Sequence, residues 1–293
     1  MKISAILIVK NEEAVIEDCL LSLADFDEIV VVDTGSTDRT GAIVSEFESG
    51  SSNLNLFVDY QWNDNFAEAR NHALSKATGD WVMSIDADHV LMTAASQIRL
   101  QAQAADRVGH KVLSITLEHD PSGQRHHVGW LFKRDPAIYY VGRIHEHLNA
   151  PINGVSQVKQ KYKKSPAHAL DPDRNLRILQ KSEDTPRTRF YLAREYADRR
   201  DWKQAIPAMH KFLEIADYLP EICEANLTLA RGYWALDNGN LARKHCLEAE
   251  RNNPMFKEAL LFMAELHYEP WKGKWLKLAE VATNEDVLFI RAR

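Results

Sequence analysis

The sequence predicts an α/β fold, a doubly wound and mostly parallel sheet, followed by an all-α helical-repeat domain. Three observations predict it. Short, nearly continuous apolar β runs alternate with amphipathic helical stretches through the first half. The β signal stops near Pro186. Beyond that point helical patterns repeat, with Pro186, Pro220 and Pro254 recurring every 34 residues. Strand and helix in alternation build a parallel sheet covered on both faces, whereas helical hairpins at a fixed period stack into a solenoid. The boundary is expected near residue 170, giving domains 1–170 and 171–293.

The elements follow in order. Ile3–Val9 is the first strand, rich in Ile and Val. Asn11 is the expected N-cap of a helix running to about Leu23, with Val15, Ile16, Leu20 and Leu23 on its apolar stripe. Glu28–Asp33 is the second strand. Gly35 allows a sharp turn after it, and Ser36 or Thr37 is expected to cap the next helix. Phe66, Ala69, Ala73, Leu74 and Ala77 form another helical stripe, which Gly79 is expected to stop. Trp81–Asp86 is a third buried strand. Ligands of such sheets sit at the carboxyl ends of strands, where Asn11, Asp33 and Asp86 fall. Residues 151–185 read as a connector, because Pro151, Gly154, Pro166 and Pro172 break any long element.

The 34-residue spacing is the tetratricopeptide period. In the middle unit Ala230, Tyr233, Ala242, Ala249 and Pro254 take that repeat's small, aromatic, small, small and proline positions. Ala264 repeats Ala230 one period on, and in the preceding unit Ala193, Tyr196 and Ala205 echo the same spacing. Small residues let paired helices approach, and the proline ends the second helix. The pattern gives two good repeats and a degenerate third, with Trp271 and Trp275 expected to cover the last face.

Composition bounds the function. The chain has 293 residues, 45% hydrophobic and 27% charged, with a net charge of −6. That balance disfavours nucleic acid as the principal partner, although Lys159–Lys164 is locally basic. The first apolar run is too short for a signal peptide and no run is long enough to span a membrane. Cys19, Cys223 and Cys246 lie far apart on helix-like segments, which reads as buried free thiols in a reducing compartment. A cytoplasmic protein is expected, with peripheral attachment to the inner membrane face as a variant of that reading.

Three motifs carry chemistry. Ser84-Ile85-Asp86-Ala87-Asp88 ends an apolar strand in two carboxylates one residue apart. On a strand, alternate side chains share a face, so both can turn to one divalent cation, and Mg²⁺ or Mn²⁺ suits such oxygens. Val31–Asp38 places Asp33 at a strand end before a tight turn, as a turn residue or as an acceptor for a nucleoside. Trp62–Asn71 ends in Arg70 and Asn71, which are expected to edge towards the site, with Arg70 offering a fork of donors to a diphosphate.

Ile6–Asn11, Val31–Thr40, Asn65–Asn71 and Gly79–Asp88 in this order resemble a family-2 glycosyltransferase of the GT-A fold. They resemble most closely bacterial members with a tetratricopeptide tail, among them lipopolysaccharide-core and peptide glycosyltransferases. The resemblance covers about the first 170 residues. It implies an inverting, Mn²⁺- or Mg²⁺-dependent transfer from a nucleotide-sugar, a UDP-sugar as first choice, to a glycan, lipid-linked or peptide acceptor. It implies that Asn11, Asp33 and Asp86 hold the donor and that Asp86 and Asp88 hold the metal. Arg70 would stabilise the departing diphosphate. Tyr140–His147 is similar to the family's acceptor-side segment, which implies Glu146 as base and His145 near the metal or the diphosphate; Asp135 is the alternative base. His168 is similar to a further His near the diphosphate. The chain lacks the Glu-Asp pair that many members use as base.

Two other classes compete. A sugar nucleotidyltransferase would need a Gly-rich basic loop after the first strand, where this chain has Lys10-Asn11-Glu12-Glu13. A non-catalytic adaptor would use only the repeats, which suit a protein partner or self-association, and would have no need of Asp33, Asp86 and Asp88.

Overall fold

The computed structural model describes residues 1–50, 54–119, 124–163, 165–169 and 171–282. The side chains of residues 50, 54–56, 124, 168 and 169 fall outside that description. The chain forms two compact units, Met1–Pro172 and Asp173–Arg293.

Unit one begins with β1 (Ile3–Val9), α1 (Ile16–Ser22), β2 (Glu28–Asp33), α2 (Thr40–Gly50), β3 (Leu54–Asp59) and α3 (Phe66–Lys76). It continues with β4 (Trp81–Ser84), β5 (His89–Leu91), α4 (Ala95–Arg107), β6 (Val112–His119) and β7 (Gln124–Lys133). The short β8 (Tyr140–Val141) and β9 (His147–Leu148) pair with each other, and β10 (Gly154–Tyr162) ends the sheet-forming part. The eight-stranded sheet has the order β3-β2-β1-β4-β7-β6-β10-β5. β1 runs parallel to β2 and β4, β2 to β3, and β10 to β6, while β7 is antiparallel to β4 and β6, and β5 to β10. Ile3–Val9 and Glu28–Asp33 are buried almost throughout, as parallel strands covered on both faces must be. One core layer gathers Leu7, Leu20, Ile29, Met83, Ile98 and Ile115, and the other gathers Ile6, Val30, Ala73, Val82 and Phe132.

Several local expectations change. Asn11 does not cap α1, which starts only at Ile16 after Val15. Its backbone is left-handed (φ 58°), and its Oδ1 accepts the Thr37 N–H at 2.7 Å. Neither Ser36 nor Thr37 caps α2; the Asp38 carboxylate does, accepting the Thr40 N–H at 2.9 Å. The strand from Trp81 stops at Ser84, so Asp86 and Asp88 stand in the following turn, closed by the His89 N–H on the Asp86 carbonyl at 3.0 Å. α3 ends at Lys76, before Gly79. Gly79 serves packing: a Cβ there would lie 2.6 Å from Ser4 Oγ and 2.7 Å from Ser4 N. The supposed connector 151–185 contains β10, nine residues long and paired with β6 and β5.

Unit two is helical: α5 (Arg174–Lys181), α6 (Pro186–Asp198), α7 (Trp202–Leu213), α8 (Leu219–Ala235), α9 (Gly239–Asn252), α10 (Lys257–Glu265) and α11 (Trp271–Val281). α6 packs on α7, α8 on α9, and α10 on α11. The repeat alanines 193, 205, 230, 242, 249 and 264 are fully buried. Pro186 and Pro220 stand in the first turns of α6 and α8, where a missing N–H costs nothing, and only Pro254 follows the end of a second helix. Trp275 packs against Leu260 and Ala279, whereas Trp271 remains 56% exposed. All three cysteines are buried and unbridged. Among the described residues no helix is long and apolar enough to cross a membrane.

Candidate active site

Because β1, β2 and β4 are parallel, their carboxyl ends share one edge of the sheet, and the polar residues that follow them converge there. After β2, Asp33 Oδ1 accepts the N–H groups of Gly35 (2.9 Å) and Ser36 (2.8 Å) and the Ser36 hydroxyl (2.9 Å). Gly35 takes φ 105°, a conformation that favours glycine. Ser36 Oγ in turn accepts the Asn11 N–H at 3.0 Å, so the loops after β1 and β2 are stitched together. Asp33 Oδ2 receives no hydrogen bond among the described residues.

Arg70 is the hub of the site. It lies on the inward stripe of α3 with Ala67 and Ala73 and is only 4% exposed. Its Nε donates to Glu146 Oε1 at 2.5 Å, Nη1 to Ser84 Oγ at 3.0 Å, and Nη2 to Asp86 Oδ1 at 2.6 Å. Trp130 and Tyr140 rings lie 5.4 and 5.7 Å from the guanidinium carbon. Burial works against charge on Arg70, but Asp86 and Glu146 overcome it and raise its pKa. The expected fork therefore faces two protein carboxylates and a hydroxyl. Asn71 clamps the Tyr140–His147 segment: its Oδ1 accepts the Tyr140 N–H and its Nδ2 donates to the Tyr140 carbonyl, both at 2.8 Å. The Phe66 N–H bonds to the Arg143 carbonyl at 2.8 Å and fixes the same segment to the start of α3.

Carboxyl or imidazole atoms of Asp86, Asp88 and His89 lie within 4.8 Å of one another. His89 was not anticipated; its only sequence signal is adjacency to Asp88. His89 Nδ1 bonds with Gln160 Oε1 at 3.1 Å, and Gln160 Nε2 donates to the Ser84 carbonyl at 3.0 Å. Burial, followed by the charges of Asp86 and Glu12, pushes the Asp88 carboxyl up to about 8. Burial pushes His89 down. The Ser165 hydroxyl donates to Glu12 at 2.5 Å. The metal-capable group does not include His145, which was expected beside the metal and sits in a left-handed conformation (φ 52°) one residue before Glu146. The His168 side chain lies outside the described residues. Asp135, the alternative base, bonds to Lys111 at 2.7 Å and to the Ala137 N–H; it takes no part in the Arg70 network.

Among the described residues, the carboxylates of Glu12, Asp86, Asp88 and Glu146 gather around the Arg70 guanidinium. Two carboxylate oxygens and one imidazole nitrogen are a donor set that suits Mn²⁺ or Mg²⁺, and such a cation would offset the charge that raises Asp88.

Residues 4–157, more than half of the chain, match glycosyl transferase family 2. The chain belongs to that family. The family-2 domain has the GT-A fold. It is similar in sequence to a TPR repeat-containing protein of Synechococcus elongatus, 34% identical over 160 residues, 53% of this chain and 38% of that protein. It is also similar to the lipopolysaccharide core biosynthesis glycosyltransferase LpsC of Rhizobium meliloti, 34% identical over 114 residues, 38% of this chain and 42% of the relative. The crystal structure of S. aureus TarS 1–349 in complex with UDP-GlcNAc superposes with a TM-score of 0.51 at 17% identity, covering 87% of this chain and 92% of that one. At that identity the likeness concerns the fold. The family-2 chain described here spans about 40% of the length of these two curated relatives.

Proposed function

We propose that the chain transfers a sugar from a nucleotide-sugar to a hydroxyl or thiol acceptor with inversion, using Mn²⁺ or Mg²⁺. The observation that carries this reading is the excess of carboxylate over guanidinium at the strand ends, in a site whose family acts on anionic donors. Such a site repels a diphosphate unless a cation completes it. Asp86, Asp88 and His89 would hold that cation, whose chemistry is to neutralise charge on the departing diphosphate. The UDP-GlcNAc held by TarS makes a UDP-sugar the first donor to test.

The chain's own residues take the remaining roles. Asp33, with Oδ1 fixed in its turn, presents Oδ2 to the base or ribose of the nucleoside, beside Asn11. Arg70 bonds to Asp86 and Glu146 and fixes their positions. Glu146 Oε1 is bound to Arg70, leaving Oε2 to take the acceptor proton. The acceptor atom then bonds to the anomeric carbon as the bond from that carbon to the diphosphate oxygen breaks, and the electron pair leaves with the diphosphate. Attack opposite the leaving group inverts configuration. His145, adjacent to Glu146, is assigned to the diphosphate side. The helical unit is assigned to acceptor presentation or partner binding.

The test is nucleotide release from a panel of UDP-, GDP-, CMP- and dTDP-sugars by the full chain. Release from one donor with Mn²⁺, lost on chelation and in Asp88→Asn, is the expected result. Glu146→Gln should slow acceptor-dependent turnover by about 10²–10⁴ with donor KM unmoved. Failure to release nucleotide from any donor, with or without metal, overturns the reading.

A further inference from the structure

Across the strands beside the acidic site, the last covered rung of the sheet is Leu91–Gln160–Leu117, all buried. Two residues away on each strand, and therefore on the same face, the next rung is His89–Tyr162–His119. Where a sheet face leaves its helical cover, charged side chains are the usual occupants. Here rings stand side by side. Centroids are 5.6 Å apart for His89 and Tyr162, 5.2 Å for Tyr162 and His119, and 4.9 Å for His119 and His126. Trp130 closes the near end, stacked 5.6 Å from His89 at 30° and 5.4 Å from the Arg70 guanidinium. The row starts at Asp88's neighbour and runs outward. Trp130, Tyr162, His119 and His126 are half-buried, so each keeps an accessible part.

The chemistry of the row is neutral. Burial holds His119 and His126 below the usual imidazole range, and the Tyr162 hydroxyl is a hydrogen-bond donor. At the inner end stand the Asp86 and Asp88 carboxylates and the Arg70 guanidinium, which Asp86 and Glu146 engage. The cations nearby are engaged or averted: Lys163 pairs with Asp18, Arg125 with Glu118, and Lys161 alternates to the opposite face from Tyr162. Among the described residues, the row itself offers an anionic acceptor no positively charged side chain. A sugar ring has the complementary surface, with apolar C–H faces for aromatic rings and a rim of hydroxyls for imidazole and phenol edges.

We propose that this row is the acceptor subsite and that it takes a neutral sugar ring, which makes the acceptor a glycan. The inference rests on the glycosyltransferase reading above and narrows its acceptor class. The test is saturation-transfer NMR on the full chain with UDP and diamagnetic Mg²⁺, using methyl glycosides of neutral hexoses and N-acetylhexosamines as probes. Saturation of one glycoside's ring protons is expected. That signal should fall at least fivefold in Tyr162→Ala and in His119→Ala, and return in Tyr162→Phe, which keeps the ring. UDP saturation with no glycoside signal overturns the acceptor assignment and leaves the donor reading standing. Saturation of a serine or cysteine peptide in place of the glycosides also overturns it. Absence of UDP saturation in the wild type overturns the donor reading and the acceptor assignment with it. If Tyr162→Ala does not fold, the His119→Ala and Tyr162→Phe pair decides.

Discussion

Replacing Arg70 by Met removes the guanidinium while leaving an apolar stem of similar reach. Three charged or polar groups lose their donor: Glu146, Ser84 and Asp86. Asp86 is a third exposed, so water screens its loss and its share is small. Glu146 is only 12% exposed and would be left as a buried, uncompensated carboxylate. Removing one partner of a buried pair costs about 3–5 kcal/mol. With the Asp86 share discounted, the expected loss is about 3 kcal/mol, equivalent to about a hundredfold in the opening equilibrium. Native-state hydrogen exchange of the Trp81–Ser84 strand reads this in the α/β unit without interference from the helical one. The double variant Arg70→Met/Glu146→Gln removes the stranded charge and should recover about half of the loss, a coupling of about 1–2 kcal/mol. A change below about 1 kcal/mol in Arg70→Met, or strict additivity in the double variant, refutes the argument that Arg70 is held by a buried ion pair.

The remaining predictions concern the carboxylates and the helical unit. Asp88 has a folded pKa near 8, above its unfolded value of about 3.9, so its stabilising contribution is full at low pH and is lost as pH rises through about 8. Thermal melts in chelator should therefore show a falling midpoint from pH 5 to 8.5, and Asp88→Asn should flatten that fall and raise the pH 8 midpoint by about 4 °C. The same variant should gain no midpoint from Mn²⁺; an undiminished gain would remove Asp88 from the metal site. Asp33→Ala should weaken nucleotide binding by about 1–3 kcal/mol in calorimetry, and unchanged affinity would reduce Asp33 to a turn residue. In the helical unit, burial followed by His210 and Lys244 pushes His245 down to about 4, below its unfolded value of about 6.5. Its contribution is then present above pH 6.5 and lost as pH falls, so hydrogen exchange of α9 should accelerate from pH 6.5 to 4.5, after correction for intrinsic rates. His245→Asn should weaken that dependence.

The strands visible in the sequence are those whose burial is uniform. Ile3–Val9 and Glu28–Asp33 are apolar because helices cover both faces, and nothing in their role requires a polar side chain. β10 was hidden for the opposite reason. Its inward residues include Ser156 and Gln160 and its outward ones Lys159 and Lys161, which reads as a polar linker between prolines. The structure shows what the polar inward positions do. Ser156 Oγ donates to the Ser114 carbonyl at 2.6 Å, and Gln160 bonds to His89 and to the Ser84 carbonyl. A buried amide placed to orient an imidazole beside Asp88 erases the apolar alternation that marks a strand. The position of Asp86 and Asp88 was legible, but their support was not, because Gln160 lies more than seventy residues further along the chain.

Arg70 shows the same limit from the other side. In sequence it follows Ala69 on a helix and looks like an edge residue reaching for a ligand; the segment Tyr140–His147 looks like a separate acceptor-side loop. The structure joins them through one 2.5 Å bond between residues 76 positions apart. Helical periodicity places Arg70 on the inward stripe with Ala67 and Ala73, and an arginine survives there only if carboxylates receive it. Glu146 and Asp86 are those carboxylates, so the candidate base, the arginine and the first aspartate of the candidate metal site form one electrostatic unit. The Asn71 clamp on Tyr140 fixes the geometry of that unit by holding the loop that carries Glu146. A change at Asn71 would therefore act on Glu146 without touching any ligand: Asn71→Ala should lower acceptor-dependent kcat while leaving nucleotide affinity in place. If Asn71→Ala weakens nucleotide binding as much as it lowers kcat, the clamp acts on the whole fold and has no particular hold on Glu146.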